Sequence, residues 1–425
     1  MGASVASMNT WDVPFVIEKS DRDILQKLAD EIAAVAKRPE MTARAKLWTL
    51  HNDLKTDYPT IFLEPNNSWP ELLPESSCKC KGLLARRWEY ALLQELYWAN
   101  IIKDDHVIDL YFDVPYCRTH TGWGVVPERI GGGDGGAYKI KKVIEDYETD
   151  FEKIRFPQLV IDFQRSAQLL ELAREVFGEV LHVRQFTPWW WTLGMTWDYI
   201  DLRGLEDFLC DFILEPEWVH RLMNLLCEGH LREIDALEKQ GLLASNVGNE
   251  YVGSGGLGYT EELPPYDPSR QVKTMDMWGF VESQETVVTS PEVYGEFIFP
   301  YHKRIAERFG LNCFGCCEPY EARFKYARNI PRLRRVSCSP WSNRELTQEL
   351  LGNQYVASHK LSPSLLALPN MNEELVRNEI RVALECSRGC VPELVMKDIS
   401  TVGKNPLNIS RWVEIAREEV ARLYG

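Results

Sequence analysis

Apolar residues recur every three to four positions in two stretches near the start of the chain. Ile24, Leu25, Leu28, Ile32 and Val35 mark a helix over 21–37, and a second apolar face runs over 86–102. Between them, 58–63 reads as a short strand leaving through the turn Pro65-Asn66-Asn67, and 106–114 as a further strand. The stretch 116–136 has no periodicity and ends in a glycine run around Asp134, so it reads as a long covering loop. Its glycines lack the dinucleotide spacing and a following helix, and no nucleotide site is read there.

From about residue 160 the pattern turns regular. Helix 164–177 leads to strand 180–185, helices 205–214 and 216–240, and strand 243–247, then a loop with Gly253, Gly255, Gly256 and Gly258. Strand 274–281, helix 291–309, strand 311–315, helix 320–329, strand 334–338 and helix 343–351 follow, then strand 354–357, helix 372–386, strand 393–396 and helix 410–424. Ser290 with Pro291 at the first helical position makes a well-formed helix start. Strands and helices alternating at this length imply parallel strands with right-handed crossovers. With the earlier strands the units count towards eight. The expectation is an α/β fold, a (β/α)8 TIM barrel over 56–425 with an N-terminal helical extension over 1–55.

Composition narrows the function classes. With 45% hydrophobic and 26% charged residues the chain is ordinary for a globular protein, and no run approaches the roughly 18 consecutive apolar residues of a spanning helix. The N-terminus lacks a basic segment followed by an apolar stretch, so a cytoplasmic location without membrane association is expected. A net charge of −15 argues against nucleic acid, and Arg332, Arg334 and Arg335 read as a solvated face. Eleven cysteines in 425 residues do not suggest a disulfide framework, and Cys210 and Cys227, inside helical patterns, read as inert.

In a barrel, chemistry gathers at the C-terminal strand ends. Those ends carry Asn249-Glu250, Glu282-Ser283-Gln284-Glu285, Cys316-Cys317-Glu318, Ser337-Cys338, His359-Lys360 and Lys397-Asp398. Cysteine, histidine and glutamate at one mouth suit zinc, with Cys316, Cys317, Glu318 and His359 as candidate ligands. Carboxyls whose pKa values are pushed apart suit acid–base work, with Glu318, Glu285 and Glu250 as candidates. Neighbouring residues on a strand face opposite ways, so Cys316 and Cys317 share the mouth only if the strand has already ended; otherwise they are small buried residues. Trp189, Trp190 and Trp191 fall on a rim loop and, with Glu282 and Gln284, are the candidate substrate wall for a flat organic molecule.

The stretches Val281-Glu282-Ser283-Gln284-Glu285-Thr286, Ser290-Pro291-Glu292, Phe297-Ile298-Phe299-Pro300-Tyr301-His302, Phe309-Gly310-Leu311, Gly315-Cys316-Cys317-Glu318-Pro319, Val336-Ser337-Cys338-Ser339-Pro340-Trp341 and Met396-Lys397-Asp398-Ile399-Ser400-Thr401 together resemble the uroporphyrinogen decarboxylase-like superfamily. Within it they are most similar to the corrinoid-dependent methyltransferases that serve anaerobic O-demethylases. The resemblance spans roughly 55–425 and is strongest over 275–402. It implies a TIM barrel that moves a methyl group from a small substrate, a methoxylated aromatic by preference, to the cob(I)alamin of a separate corrinoid protein.

There are departures. The thiol-methylating members carry His-x-Cys at the strand matching 311–317 and a second cysteine near the chain end. Here Gly315 and Lys397-Asp398 stand in those places, so zinc would need a different ligand set such as Cys317, Glu318 and His359. The arginine-bearing N-terminal segment of the porphyrinogen decarboxylases has no counterpart, which makes tetrapyrrole decarboxylation the runner-up and a non-catalytic corrinoid- or porphyrin-binding protein the third reading.

Overall fold

The computed structural model describes residues 12–131 and 138–425. The extreme N-terminus and all but the first glycine of the run at 131–136 lie outside the described residues. Among the described residues twelve strands are formed: β1 (Thr60–Leu63), β2 (Tyr111–Val114), β3 (Arg118–His120), β4 (Glu128–Gly131), β5 (Tyr138–Lys141), β6 (Leu159–Ile161), β7 (His182–Gln185), β8 (Trp278–Val281), β9 (Leu311–Phe314), β10 (Leu333–Cys338), β11 (Val356–Leu361) and β12 (Val391–Met396). One sheet runs β1-β12-β11-β10-β9-β8 with every pairing parallel, and β2 pairs with β7 in parallel beside it. This is the helix-covered parallel sheet of a barrel-like α/β fold, but among the described residues the ladder does not close into eight strands.

Side chains take over where ladder bonds stop. The Asp105 and Asp104 carboxylates accept the backbone N–H of Ile61 and Leu63, 2.7 Å each, along the free edge of β1. At the other edge the Asn246 amide bonds both backbone groups of Trp278 at 2.8 and 2.9 Å, so 243–247, expected as a strand, lies against β8 through one side chain. The expected loop 116–136 in fact contains β3 and β4, which pair antiparallel with β6 and β5. A helix at Pro39–Asn52 escaped the periodicity because its apolar face is weak, whereas Lys19–Ala36 appears as expected. The helix expected over 291–309 is broken by a π-turn at Tyr294–Ile298, just before Pro300. Among the described residues, no helix is long and apolar enough to cross a membrane.

The sheet's inner surface is polar and is covered by the glycine loop after residue 250. Arg335 is not on a solvated face. It is buried, with its Nε 3.1 Å from Glu393 Oε1 and its Nη2 2.6 Å from Asn52 Oδ1. Gly256 (φ +100°) lies so close that a Cβ there would stand 2.8 Å from Arg335 Nη2 and 3.0 Å from Glu393 Oε2, and at Gly253 (φ +63°) a Cβ would stand 2.7 Å from that of Cys313. Only glycine combines a left-handed backbone with this approach. Gly256→Ala is therefore expected to cost about 2–4 kcal/mol, read by urea unfolding, from backbone strain together with displacement of a buried ion pair. Wild-type stability in that variant would contradict the packing described. Of the two cysteines read as inert, Cys227 is buried and Cys210 exposed.

Candidate functional site

The site grows out of the turn after β9. The strand ends at Phe314, and Gly315 takes φ +83°, a conformation in which a side chain is strained. With the strand over, alternation no longer applies, and the two thiols that follow come to the same side with Sγ atoms 3.6 Å apart. Cys316 is buried and Cys317 half-buried. From the end of β12, Lys397 reaches across, its Nζ 3.3 Å from Cys316 Sγ, 3.4 Å from Ser254 Oγ and 2.9 Å from Asp398 Oδ2. The thiol of Cys317, aided by the Lys397 charge and opposed by burial, holds Cys316 well below the ordinary thiol range, while Cys317 is pushed up by the same contact and by burial. The strand-end pattern placed Lys397 at the mouth, but the pairing of Lys397 with Cys316 had no signal in sequence, since 81 positions separate them.

Glu318 is fully buried, and its two oxygens accept the N–H of Ser283 (2.9 Å) and of Cys316 (2.8 Å). It clamps the turn after β8 to the turn after β9. Arg323 braces the same turn from below, donating to the carbonyl and hydroxyl oxygens of both Ser283 and Thr286. These bonds expose one face of the 284–286 turn, and there Glu285 faces an open cleft of about 510 Å³ lined also by Trp197, Gln284, Cys317, Pro319 and Trp341. Glu285 Oε2 accepts from Thr196 Oγ1 at 2.7 Å, and its Oε1 is buried with no hydrogen-bond partner. Burial, chiefly, pushes this carboxyl up, with the Glu318 charge adding to the effect. Glu282, deeper in, is pushed well up by burial and by the charges of Glu285 and Glu318.

Several candidates lie elsewhere. His359 is on the outer face of β11, buried, with Nε2 2.5 Å from Ser387 Oγ at the end of the helix Glu373–Glu385; burial lowers its pKa to about 3. Its neighbours Ser358 and Lys360 face inwards, Lys360 donating to Ser358 and Ser358 to Glu393. The proposed set of Cys316, Cys317, Glu318 and His359 is thus not assembled, and among the described residues no three His, Cys, Asp or Glu side chains are grouped to hold a metal ion. Those residues do not fit zinc as arranged. The reason is strand alternation: the histidine falls on the helix-facing side.

Glu250 is held by Arg184 at 2.7 Å, and Arg184 also grips Asp113 and lies over the rings of Tyr111, Phe186 and Tyr266. It does not line the cleft. Nor do the three consecutive tryptophans, which are packed: Trp189 donates to Leu242 O and stacks on Tyr116, Trp190 meets Phe309 edge-on and Trp191 meets Phe280. The aromatic walls of the cleft are instead Trp197 and Trp341, 46% and 77% exposed.

Glu64, directly after β1, was also missed, although a glutamate closing the apolar run Ile61-Phe62-Leu63 was a readable signal. Burial pushes its carboxyl up to about 7 despite the opposing N–H of Asn66. A carboxyl raised on folding stabilises the fold below its unfolded value, and that contribution is lost as pH rises through the folded value. Wild-type stability should therefore fall between roughly pH 4.5 and 7. Glu64→Gln, which cannot ionise, is expected to match wild type at pH 4 and exceed it at pH 8 by up to about 3 kcal/mol in urea unfolding. Equal stabilities at both pH values would show that Glu64 is not desolvated.

No protein-family model matches the chain, and no curated protein sequence matches it. Among solved structures, a methyltransferase from Methanosarcina mazei aligns with 74% of this chain and 81% of its own length, at 12% identity and a TM-score of 0.42.

Proposed function

We propose that this protein is a methyltransferase that takes a methyl group from a small methylated donor, a methoxylated aromatic by preference, and delivers it to the cob(I)alamin of a separate corrinoid protein. The observation that carries the reading is the Glu285 carboxyl, raised by burial and set in the lining of a cleft walled by two exposed tryptophans. The motif set of residues 281–401 supplies the direction of the chemistry.

A methyl ether resists displacement because its leaving alkoxide is basic, and a proton delivered to the ether oxygen removes that obstacle. The corrinoid supplies the nucleophile, and the protein's part is to bind, orient and donate the proton. Trp197 and Trp341 offer flat faces for an aromatic ring. The Glu285 carboxyl, whose hold on its proton burial strengthens, is the proton donor, and Thr196 donates to its Oε2. Glu282 lies behind it, its own carboxyl pushed well up by burial and by the charges of Glu285 and Glu318.

The runner-up, tetrapyrrole decarboxylation, draws little support, because the cations near the mouth are already engaged: Arg323 by Ser283 and Thr286, Lys397 by Cys316 and Asp398, Lys360 by Ser358. The reading is tested by incubating the protein with methoxylated aromatics and reduced corrinoid protein and following methylcobalamin formation. Failure with every donor and partner, from protein that is folded, would remove it.

A further inference from the structure

We propose that Cys316 and Cys317 form an oxidant-responsive modification site, in which a hydroperoxide oxidises the Cys316 sulfur and Cys317 then closes a vicinal disulfide. This goes beyond the methyl-transfer reading and does not depend on it. Three features of one turn carry it. The sulfurs are 3.6 Å apart and on the same side of the chain. The Lys397 ammonium, 3.3 Å from Cys316 Sγ, favours a thiolate there, and thiolates are the nucleophiles of sulfur chemistry. Cys317 lines the cleft, so the pair is next to an opening that admits a small oxidant.

The step balances as follows. The Cys316 thiolate attacks one oxygen of hydrogen peroxide; the S–O bond forms, the O–O bond breaks, and hydroxide leaves, taking up from solvent the proton that the Cys316 thiol released on ionising, to give water. Sulfur loses two electrons and the peroxide gains them. The Cys317 sulfur then attacks the sulfenic acid, the S–S bond forms, the S–O bond breaks, and the departing hydroxide takes the Cys317 proton as a second water. Adjacent Cα atoms are about 3.8 Å apart, below the usual span of a disulfide, so the bond is strained and readily reduced. Oxidation removes the negative charge that Lys397 faces, leaving it only Asp398, and takes a thiol out of the cleft wall. The product is a reversible change in the wall of the cleft.

The test is hydrogen peroxide treatment of the whole protein, then alkylation and peptide mass mapping, with half-buried Cys386 as the internal reference. In the wild type, Cys316 and Cys317 should lose alkylation together, their peptide should lose two hydrogens, and dithiothreitol should reverse both changes. In Cys317→Ser, Cys316 should stop at a sulfenic acid trapped by dimedone. In Cys316→Ser, Cys317 oxidation should slow by about tenfold or more, as should Cys316 oxidation in Lys397→Gln but not in charge-retaining Lys397→Arg. The two serine variants keep the test decisive if Lys397 variants do not fold. Undiminished oxidation of Cys317 in Cys316→Ser would overturn the proposal. So would a product that retains an oxygen and consumes Lys397 while Cys317 stays free, or a wild type in which Cys386 reacts before either thiol.

Discussion

Glu318→Gln is expected to lower the stability of the fold by about 2–4 kcal/mol, since a buried carboxylate satisfying two backbone donors is replaced by a group that satisfies one. Glu318 accepts from Ser283 and Cys316 with separate oxygens and has no exposure to solvent. An amide keeps one acceptor and turns an N–H donor towards the other N–H, leaving two donors facing each other in the interior. The turns after β8 and β9, which present Glu285 and Cys317 to the cleft, lose their common clamp. Glu282→Gln is the matched comparison: its carboxyl is pushed well up by burial and accepts one N–H, from Gln284 at 3.1 Å, which an amide oxygen can still do. Its cost should stay below about 1 kcal/mol. Urea unfolding of both variants checks the pair, and similar costs would show that Glu318 is not the clamp described.

Glu285→Gln is expected to lower the rate of methyl transfer by about 10²–10⁴-fold while leaving the fold intact, because it removes the proton but keeps an oxygen for Thr196 Oγ1. The pH dependence has a definite sign. As the proposed proton donor Glu285 would work in its protonated form, and its pKa is raised, so the wild-type rate should be full at low pH and fall as pH rises through that value. The variant should be slow throughout and lack that limb. A wild-type rate in Glu285→Gln, or the same limb in both proteins, would move the proton donor elsewhere.

Much of the architecture was legible because apolar strands alternate with amphipathic helices, and strand ends marked Glu282, Glu285, Cys317 and Glu318 for one mouth. What escaped was set by long-range packing. A loop whose glycines fit against Arg335 and Glu393 has no periodicity of its own, although Arg335 and Ser337 alternating with Val336 and Cys338 along β10 was a signal that one face was polar and buried. The same alternation sent His359 outwards. The run at 189–191 looked like a pocket wall because the sequence cannot tell packed tryptophans from exposed ones; only chain placement put Trp197 and Trp341, 144 positions apart, across one cleft.

The central claim is tested most directly by following an isotopically labelled methyl group from a methoxylated aromatic into the cobalamin of a reduced corrinoid protein, with wild type and Glu285→Gln side by side. The account predicts label in methylcobalamin with the wild type, dependent on the cob(I) state, and a loss of about two orders of magnitude or more in the variant. Label that never leaves the donor with folded wild-type protein, or that transfers equally well with the variant, would contradict it.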